Sequence, residues 1–472
     1  MIDAIVVGSG PNGLAAAVSI AREGFGVHVV EANDQIGGGA RSAELTLPGL
    51  THDVCSGIHP FAAGSPFLSS LGLEAEGLRW RYAEVDCAHP LDGGRAAALY
   101  RDVGRTAAEL GGRDGRTWRR TFAPLAARFD GLTRDLLRPL LRVPRHPFAA
   151  ARFGLQALLP ATVVANRWRT QEARALFAGC AAHSIHPLTR PTTSAIGMML
   201  ITASHAVGWP VAEGGSAVIT NALAARLTSL GGTIETGVRV SALEQLPPSR
   251  VVLLDLSPRD VVRVTRDRLP GRVARALKRY RYGPGAFKLD LAVEGGVPWT
   301  AEACRRAITV HVGGNLEQIA ASEEEVHRGD MPRHPFLLVG QQYLADPARS
   351  KGNVHPVWAY AHVPAGYTGD ASDAVLAQIE RFAPGFRERI LAQHIWSPAE
   401  IEQHNANYVG GDISTGANNT MQVLLKRPRL ALDPYGTGTG NVFICSAATP
   451  PGAGVHGMCG ANAALSALKR LR

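Results

Sequence analysis

Residues 2 to 31 read as strand, glycine turn, helix, strand and acid, and few folds accept that order. Ile2 to Val7 is an apolar, β-branched run broken only by Asp3. The chain then reads GSGPNG, with glycines at Gly8, Gly10 and Gly13. Leu14, Ala17, Val18 and Ala21 follow at helical spacing, and Val27 to Val30 forms a second run that ends in Glu31. Each part has a physical task in holding a dinucleotide. Gly8 permits the tight turn, Gly10 lets a pyrophosphate approach the backbone, and Gly13 lets the helix pack closely on the strand. The helix N-terminus offers free N–H groups and a positive dipole end to phosphates. Glu31 can take both hydroxyls of an adenosine ribose and would repel a 2′-phosphate. Pro11, Asn12 and Ala32, inside the turn and beside the acid, are expected to touch the same ligand.

Composition narrows the class. A chain of 472 residues can form two or three domains around a large core. No secretory signal precedes the glycine turn, and no uncharged apolar stretch reaches membrane-spanning length; a cytoplasmic location is the expectation. Cys55, Cys87, Cys180, Cys304, Cys445 and Cys459 are scattered without a CxxC spacing. That pattern argues against a redox disulfide pair, a zinc site or a disulfide scaffold, and no metal is expected. The net charge of +9 lies largely in arginines, many between Arg113 and Arg169. A basic surface can attract lipid or nucleic acid, but no nucleic-acid-binding motif accompanies it, and no nucleic-acid partner is expected.

Texture divides the chain. Residues 1–67 form the first part of the dinucleotide-binding domain, and 68–206 read as a mainly helical insertion capping the substrate. Residues 207–284 return to the binding domain through a helix from Ala217 to Leu230 and strands at Thr233–Glu235, Val238–Leu243 and Val251–Pro258. In 285–432, the runs FKLDLAVEG, AITVHVGG, FLLVGQQY and PVWAYAHVP predict an antiparallel sheet of half-buried strands, followed by a helix from Ala371 to Phe382. Residues 433–472 close the binding domain with a buried strand, Asn441–Ala447, a glycine-rich turn and a helix from Ala461 to Leu471. That turn repeats the GxGxxG spacing, but no strand or acid follows it, so it predicts no second dinucleotide site.

The segment after Glu31 points to the cofactor. ANDQIGGGARS resembles the glycine doublet of flavoproteins of the amine oxidase and phytoene desaturase type, where close backbone plus basic and hydroxyl side chains hold the FAD pyrophosphate. Gly38, Gly39, Ala40, Arg41 and Ser42 are therefore expected at FAD. The family pattern places arginine directly after the glycine pair; here Gly39 stands there and Arg41 comes two later. With GSGPNG, HDVCSGIHP (His52–Pro60), AEGGSAVITNALA (Ala212–Ala224) and PPGAGVHGMCGANAA (Pro450–Ala464), the whole chain resembles the phytoene desaturase-like FAD oxidoreductases. Within them it is most similar to the branch of pyridine nucleotide-disulfide oxidoreductase domain-containing proteins, although no cysteine pair supports a disulfide centre. The resemblance implies a Rossmann-type, p-hydroxybenzoate-hydroxylase-like FAD-binding domain with a discontinuous substrate domain, and places Val238 and Val240 near the adenine. The helix after the C-terminal glycine turn would aim its positive end at the flavin, and Gly457 and Met458 are expected at the cofactor.

Such a flavin accepts a hydride while the protein supplies position and excludes water. His456 and His59 are the candidate catalytic groups; each has an alternative, a turn cap for His456 and a packed loop residue for His59. Asp412 faces substrate or caps a turn. Cys55 and Cys459 fall near the flavin, with no motif for covalent attachment. The expected activity is dehydrogenation or desaturation of an apolar small molecule. An amine oxidase with an aromatic cage, a redox-neutral isomerase and a partner-binding protein with structural FAD are alternatives; the tyrosines after Tyr408, Tyr435 alone, offer no paired cage. Phe148, Phe153, Leu155, Leu158 and Leu159 with Arg142, Arg145 and Arg152 form either a bilayer contact or an ordinary buried helix. Substrate identity, electron acceptor and oligomeric state stay open, and no second unit for NAD(P) is visible.

Overall fold

The computed structural model describes residues 2–140 and 143–472. The strands of its two main sheets, in chain order, are β1 (Ile2–Val7), β2 (Val27–Val30), β3 (Val85–Pro90), β4 (Ala96–Leu99), β5 (Thr233–Glu235), β6 (Ser249–Leu254), β7 (Gly285–Glu294), β8 (Ala307–Val312), β9 (Leu337–Gly340), β10 (Val354–Val363), β11 (Ile390–Trp396) and β12 (Val442–Ile444). Six helices matter for the site: α1 (Pro11–Ala21), α2 (Pro147–Ala157), α3 (Gln171–Ala182), α4 (Ser194–Val207), α5 (Ala217–Ser229) and α6 (Met458–Leu471).

Two sheets carry the fold. The first, ordered β12-β6-β1-β2-β5, is wholly parallel. It is built from three distant stretches of chain. Both of its faces are covered: Ala4 and Val6 pack with α1, α5 and α6, while Ile5 and Val7 pack with Val261 and Val264 on the other side. This explains why its strands are near-continuous apolar runs. The second sheet is ordered β11-β7-β10-β9-β8-β3-β4. Its pairs are antiparallel except β8 with β3, which run parallel.

Several expectations change here. The insertion contributes β3 and β4 to the second sheet, so it is not helical throughout. VDCAHP is buried along its whole length, and a strand without a wet face shows no alternation to read. The same holds for β7, expected to be half buried: only its last residue, Glu294, is exposed. The stretch Val238–Leu243 is not a strand. Gly237, at φ +74°, turns the chain away after β5. The Val238 N–H then goes to the Glu31 carbonyl, and the Ser241 and Ala242 N–H groups go to the Gln245 side chain. The C-terminal helix starts at Met458 rather than Ala461.

The cap holds its own core. Trp118, Phe122, Trp168 and Phe177 are buried against one another, with the Phe122 and Trp168 rings stacked at 6.3 Å. Each such side chain contributes roughly 1.5–3 kcal/mol by leaving water. That core continues into Cys87, Ile308, Leu338 and Trp358 of the second sheet, and the site lies beside it.

Candidate functional site

At the end of β1 the glycines do what their positions require. A Cβ on Gly13 would lie 2.1 Å from the Gly8 carbonyl oxygen, so only glycine lets α1 close onto the turn. A Cβ on Gly10 would lie 2.8 Å from a carboxylate oxygen of Asp255, which follows β6 and accepts the Gly13 N–H at 3.0 Å. Gly38 approaches Gly10 from the opposite side, where an added Cβ would meet the Gly10 Cα at 3.0 Å. Glu31 follows β2 directly, with its carboxylate buried. It accepts the Ser9 N–H at 2.9 Å, the Ser9 hydroxyl at 2.6 Å and the Asn33 N–H at 2.9 Å. Arg41 stands 3.6 Å from Glu31 and donates to the carbonyls of Gln35 and Ile36.

These groups line a cavity of about 140 Å³ with Gly8, Gly10, Pro11, Asn12, Glu31, Ala32, Gly38, Gly39, Arg41, Val238 and Val240 on its walls. A second cavity of about 370 Å³ adjoins it. Pro11, Asn12, Gly39, Tyr408, Thr415 and Ala447 face both, so the two form one trough from the glycine turn to the second sheet. The residues fit an extended dinucleotide. Close backbone lies at its centre, an acid stands at one end, and the buried Asn12 Oδ1 at the junction has no protein partner.

The larger cavity is mostly apolar, with Ile58, Phe61, Ile196, Leu200, Leu338 and Ile413 on its walls. No aspartate or glutamate lines it among the described residues, and Arg427 is its one permanent charge. Arg427 is buried and donates to the Ala447 and Ser414 carbonyls and to Asn418. The side-chain polar atoms of Ser184, Thr309 and Trp358 in this wall have no protein partner. An aromatic wall is also present: Trp358 and Tyr360 on β10 stack at 5.7 Å, and Tyr408 stands opposite Gly39. Sequence order hid this, because the rings come from a strand and a return loop rather than from residues after Tyr408.

The HDVCSGIHP segment forms the floor. Asp53 ties it down by accepting from Arg349 at 2.6 Å, from the Ser216 N–H at 2.7 Å and from the Ser42 hydroxyl at 2.8 Å. His59 lines the cavity, with Nε2 2.8 Å from the Ser216 hydroxyl. Burial pushes its pKa down to about 4, so the ring is neutral near pH 7. Cys55 also faces the cavity, and burial raises its thiol pKa.

Other expected residues stand elsewhere. His456 lines neither cavity; its Nδ1 accepts the Met458 N–H at 3.0 Å, which makes it a cap on α6. Gly457 and Met458 also stay behind the walls, where a Cβ on Gly457 would meet Ala15 at 2.9 Å. Ala40 is buried off the trough, and the Ser42 hydroxyl serves Asp53 and the Ala217 N–H. Asp412 accepts from Gly283, Ser414 and Gly416, the turn-capping alternative. Cys459 donates to the Thr449 and Gly452 carbonyls.

Some residues of the site went unread in the sequence. Lys288 and Asp290, two positions apart on β7, are both buried and paired, and Lys288 also donates to the Asp53 carbonyl at 3.2 Å. Two charges inside an apolar run were the available signal. Asp255 was visible only as an acid ending a buried strand.

Residues 6–68 match the family of NAD(P)-binding Rossmann-like domains. Along its whole length the chain is similar to pyridine nucleotide-disulfide oxidoreductase domain-containing protein 2. It is 24% identical to the Rattus norvegicus protein, with 98% of this chain and 92% of the relative covered, and the Mus musculus protein gives the same values. Among solved structures it is similar to an oxidoreductase from Methanosarcina mazei, with a TM-score of 0.65 at 14% identity, over 99% of this chain and 100% of the other. Putrescine oxidase bound to putrescine gives 0.60 at 17% identity, over 99% and 98%. Cyclohexylamine oxidase from Brevibacterium oxydans gives 0.59 at 16% identity, over 100% and 99%. The family match and the fold together show a Rossmann-like dinucleotide-binding domain, in an overall fold shared with these solved structures.

Proposed function

We propose that this oxidoreductase binds FAD along the joined trough and dehydrogenates an apolar small molecule held in the larger cavity. One observation carries the reading: the glycine-turn cavity with its buried acid shares its wall with an apolar cavity that no carboxylate of the described residues lines. Gly10, Gly38 and Gly39 would let the pyrophosphate lie against backbone, Glu31 would take the ribose hydroxyls, and Arg41 would balance phosphate charge. Bound FAD would supply the hydride acceptor. The chain's own contribution is to orient the substrate between the aromatic wall and the His59 floor and to keep water out. His59, held neutral and paired with Ser216, positions the floor rather than carrying charge.

A second reading, amine oxidation, has the aromatic wall of Trp358, Tyr360 and Tyr408 in its favour and the amine oxidases among the structural neighbours. The absence of an acid on the wall weighs against it for an ammonium substrate, since a buried cation needs a counter-charge. The test is an absorption spectrum of the purified protein followed by anaerobic titration with apolar polyenes, neutral and cationic amines, and NAD(P)H. Bleaching of a flavin band by a neutral apolar donor supports dehydrogenation. Bleaching by amines alone moves the assignment to the second reading, and a protein that takes up no FAD overturns both.

We also propose a peripheral contact with a lipid surface as the route for such a substrate. On α2, Phe148 is 91% and Leu155 75% exposed, while Phe153 points inward. Arg145 and Arg152 are exposed beside them, and Arg142 lies outside the described residues. Thr192, on the cavity wall, binds the carbonyl of Leu158 just beyond α2, so this apolar patch sits at the cavity's margin. Among the described residues, no helix is long and apolar enough to cross a membrane.

A further inference from the structure

Behind the wall of the larger cavity, two neighbouring strands and one helix bring together residues that are far apart in the chain. Cys87 and His89 lie two apart on one face of β3. β8 runs parallel beside it with Thr309 level with Cys87, which puts His311 level with His89. α3 covers that face and supplies Cys180. The ligating atoms of Cys87, Cys180 and His311 all lie within 4.8 Å of one another, and all three residues are buried. The separation between Cys87 Sγ and His311 Nδ1 is 3.3 Å. A tetrahedral zinc centre with ordinary bond lengths needs about 3.5 Å between a sulfur and a nitrogen ligand.

The imidazoles are prepared in the way a metal requires. His89 Nε2 donates to the Gly314 carbonyl at 2.6 Å, and its buried Nδ1 has no partner. His311 Nε2 lies 2.9 Å from His183 Nε2, and with His311 Nε2 as the donor its Nδ1 carries a lone pair. In metal sites the second ring nitrogen is held in this manner by a carbonyl or another acceptor, which fixes tautomer and orientation. Both Nδ1 atoms converge on Gly179 of α3. A Cβ there would lie 2.8 Å from His311 Nδ1 and 2.9 Å from His89 Nδ1, so glycine at this helical position keeps the space open.

We propose that Cys87, Cys180 and His311 hold a buried structural Zn²⁺, with His89, which stands beside this trio but outside the 4.8 Å cluster, closing the fourth position by a turn of its ring. The proposal departs from the expectation of no metal, which rested on the lack of a CxxC spacing, because strand pairing and not chain proximity makes the cluster. Charge selects the ion. Two thiolates and two neutral imidazoles around Zn²⁺ sum to zero, which suits surroundings of Phe177, Trp209 and Phe336; Cu⁺ would leave a net negative charge there. The metal would pin α3 to the sheet. Through His311 it would also hold His183, whose ring lines the cavity.

The test uses the full-length, untagged protein expressed with zinc and analysed for metal by mass spectrometry. About one zinc per chain is expected. The chelated chain refilled with Co²⁺ should show thiolate-to-metal charge transfer and the strong visible bands of a tetrahedral site. The double variant Cys87→Ser/Cys180→Ser should lose the metal; should that variant not fold, the cobalt spectrum of the unmutated chain decides. Absence of both zinc and cobalt bands overturns the site, as does a Cys87–Cys180 disulfide, or zinc retained in full by a folded double variant.

Discussion

The guanidinium of Arg349 lies 2.6 Å from the carboxylate of Asp53, with both side chains buried. The pair fastens the segment under the cavity to the loop between β9 and β10. Arg349 also holds Asp346 at 3.0 Å and the Ala212 carbonyl at 2.7 Å. Removing one member of a buried pair leaves a charge uncompensated. Asp53→Asn should therefore lower unfolding free energy by about 3 kcal/mol, read by urea denaturation. Burial alone would raise the Asp53 pKa, but Arg349 and the Ser216 N–H outweigh it and hold the pKa below its ordinary value. The unfolded chain thus binds the proton more readily. This contribution is present above the ordinary carboxylate range and is lost as pH falls through the folded pKa. The variant should lose that acid limb.

Asp255 behaves in the opposite sense. Burial first, then the charge of Glu31, pushes its pKa up to about 7, although the Gly13 and Gly10 N–H groups pull it down. Protonated, it leaves the phosphate end of the trough less negative; ionised, it adds charge beside an anionic pyrophosphate. FAD affinity should weaken as pH rises through 7, and Asp255→Asn should flatten that dependence. A fluorescence titration of FAD between pH 6 and pH 8 checks it. The same shift makes its stability contribution fall as pH rises from the ordinary carboxylate range toward 7.

Glu31→Ala should weaken FAD binding by about 1.5–3 kcal/mol, the loss of hydrogen bonds to a charged group. Equilibrium dialysis of the variant against FAD provides the measurement. Unchanged affinity would put the adenosine somewhere other than this end of the trough.

His456→Ala removes a cap from α6 and should cost about 1 kcal/mol of stability. Because the ring faces neither cavity, the rate of flavin reduction by a working substrate should stay within a factor of about two. Stopped-flow reduction of the variant separates a cap from a catalytic group.

Phe148→Asp/Leu155→Asp should abolish flotation with anionic liposomes at low salt, and high salt should weaken flotation of the unmodified chain by screening its arginines. Both residues are exposed, so thermal unfolding should move little.

What could be read along the chain was local. The glycine turn, its acid and its flanking strands are set by backbone sterics within thirty residues, so Gly8, Gly10, Gly38 and Glu31 stand on the trough as spacing implied. The apolar runs of β7 to β10 were legible for the same reason, although the burial of their second faces was not, because the cap covers Ile308, Leu338 and Trp358 and the segment through Asp53 covers Lys288. What only the tertiary structure decided is which distant residues share a space. Asp53 with Arg349, Tyr408 with Gly39, and Cys87 with Cys180 and His311 are set by how two sheets and a cap pack. No periodicity records such neighbours, since their spacing along the chain is unrelated to their spacing in the interior. His456 shows the limit from the other side: its position in the glycine turn was plain, but whether its ring faced the cavity or capped α6 depended on where α6 began.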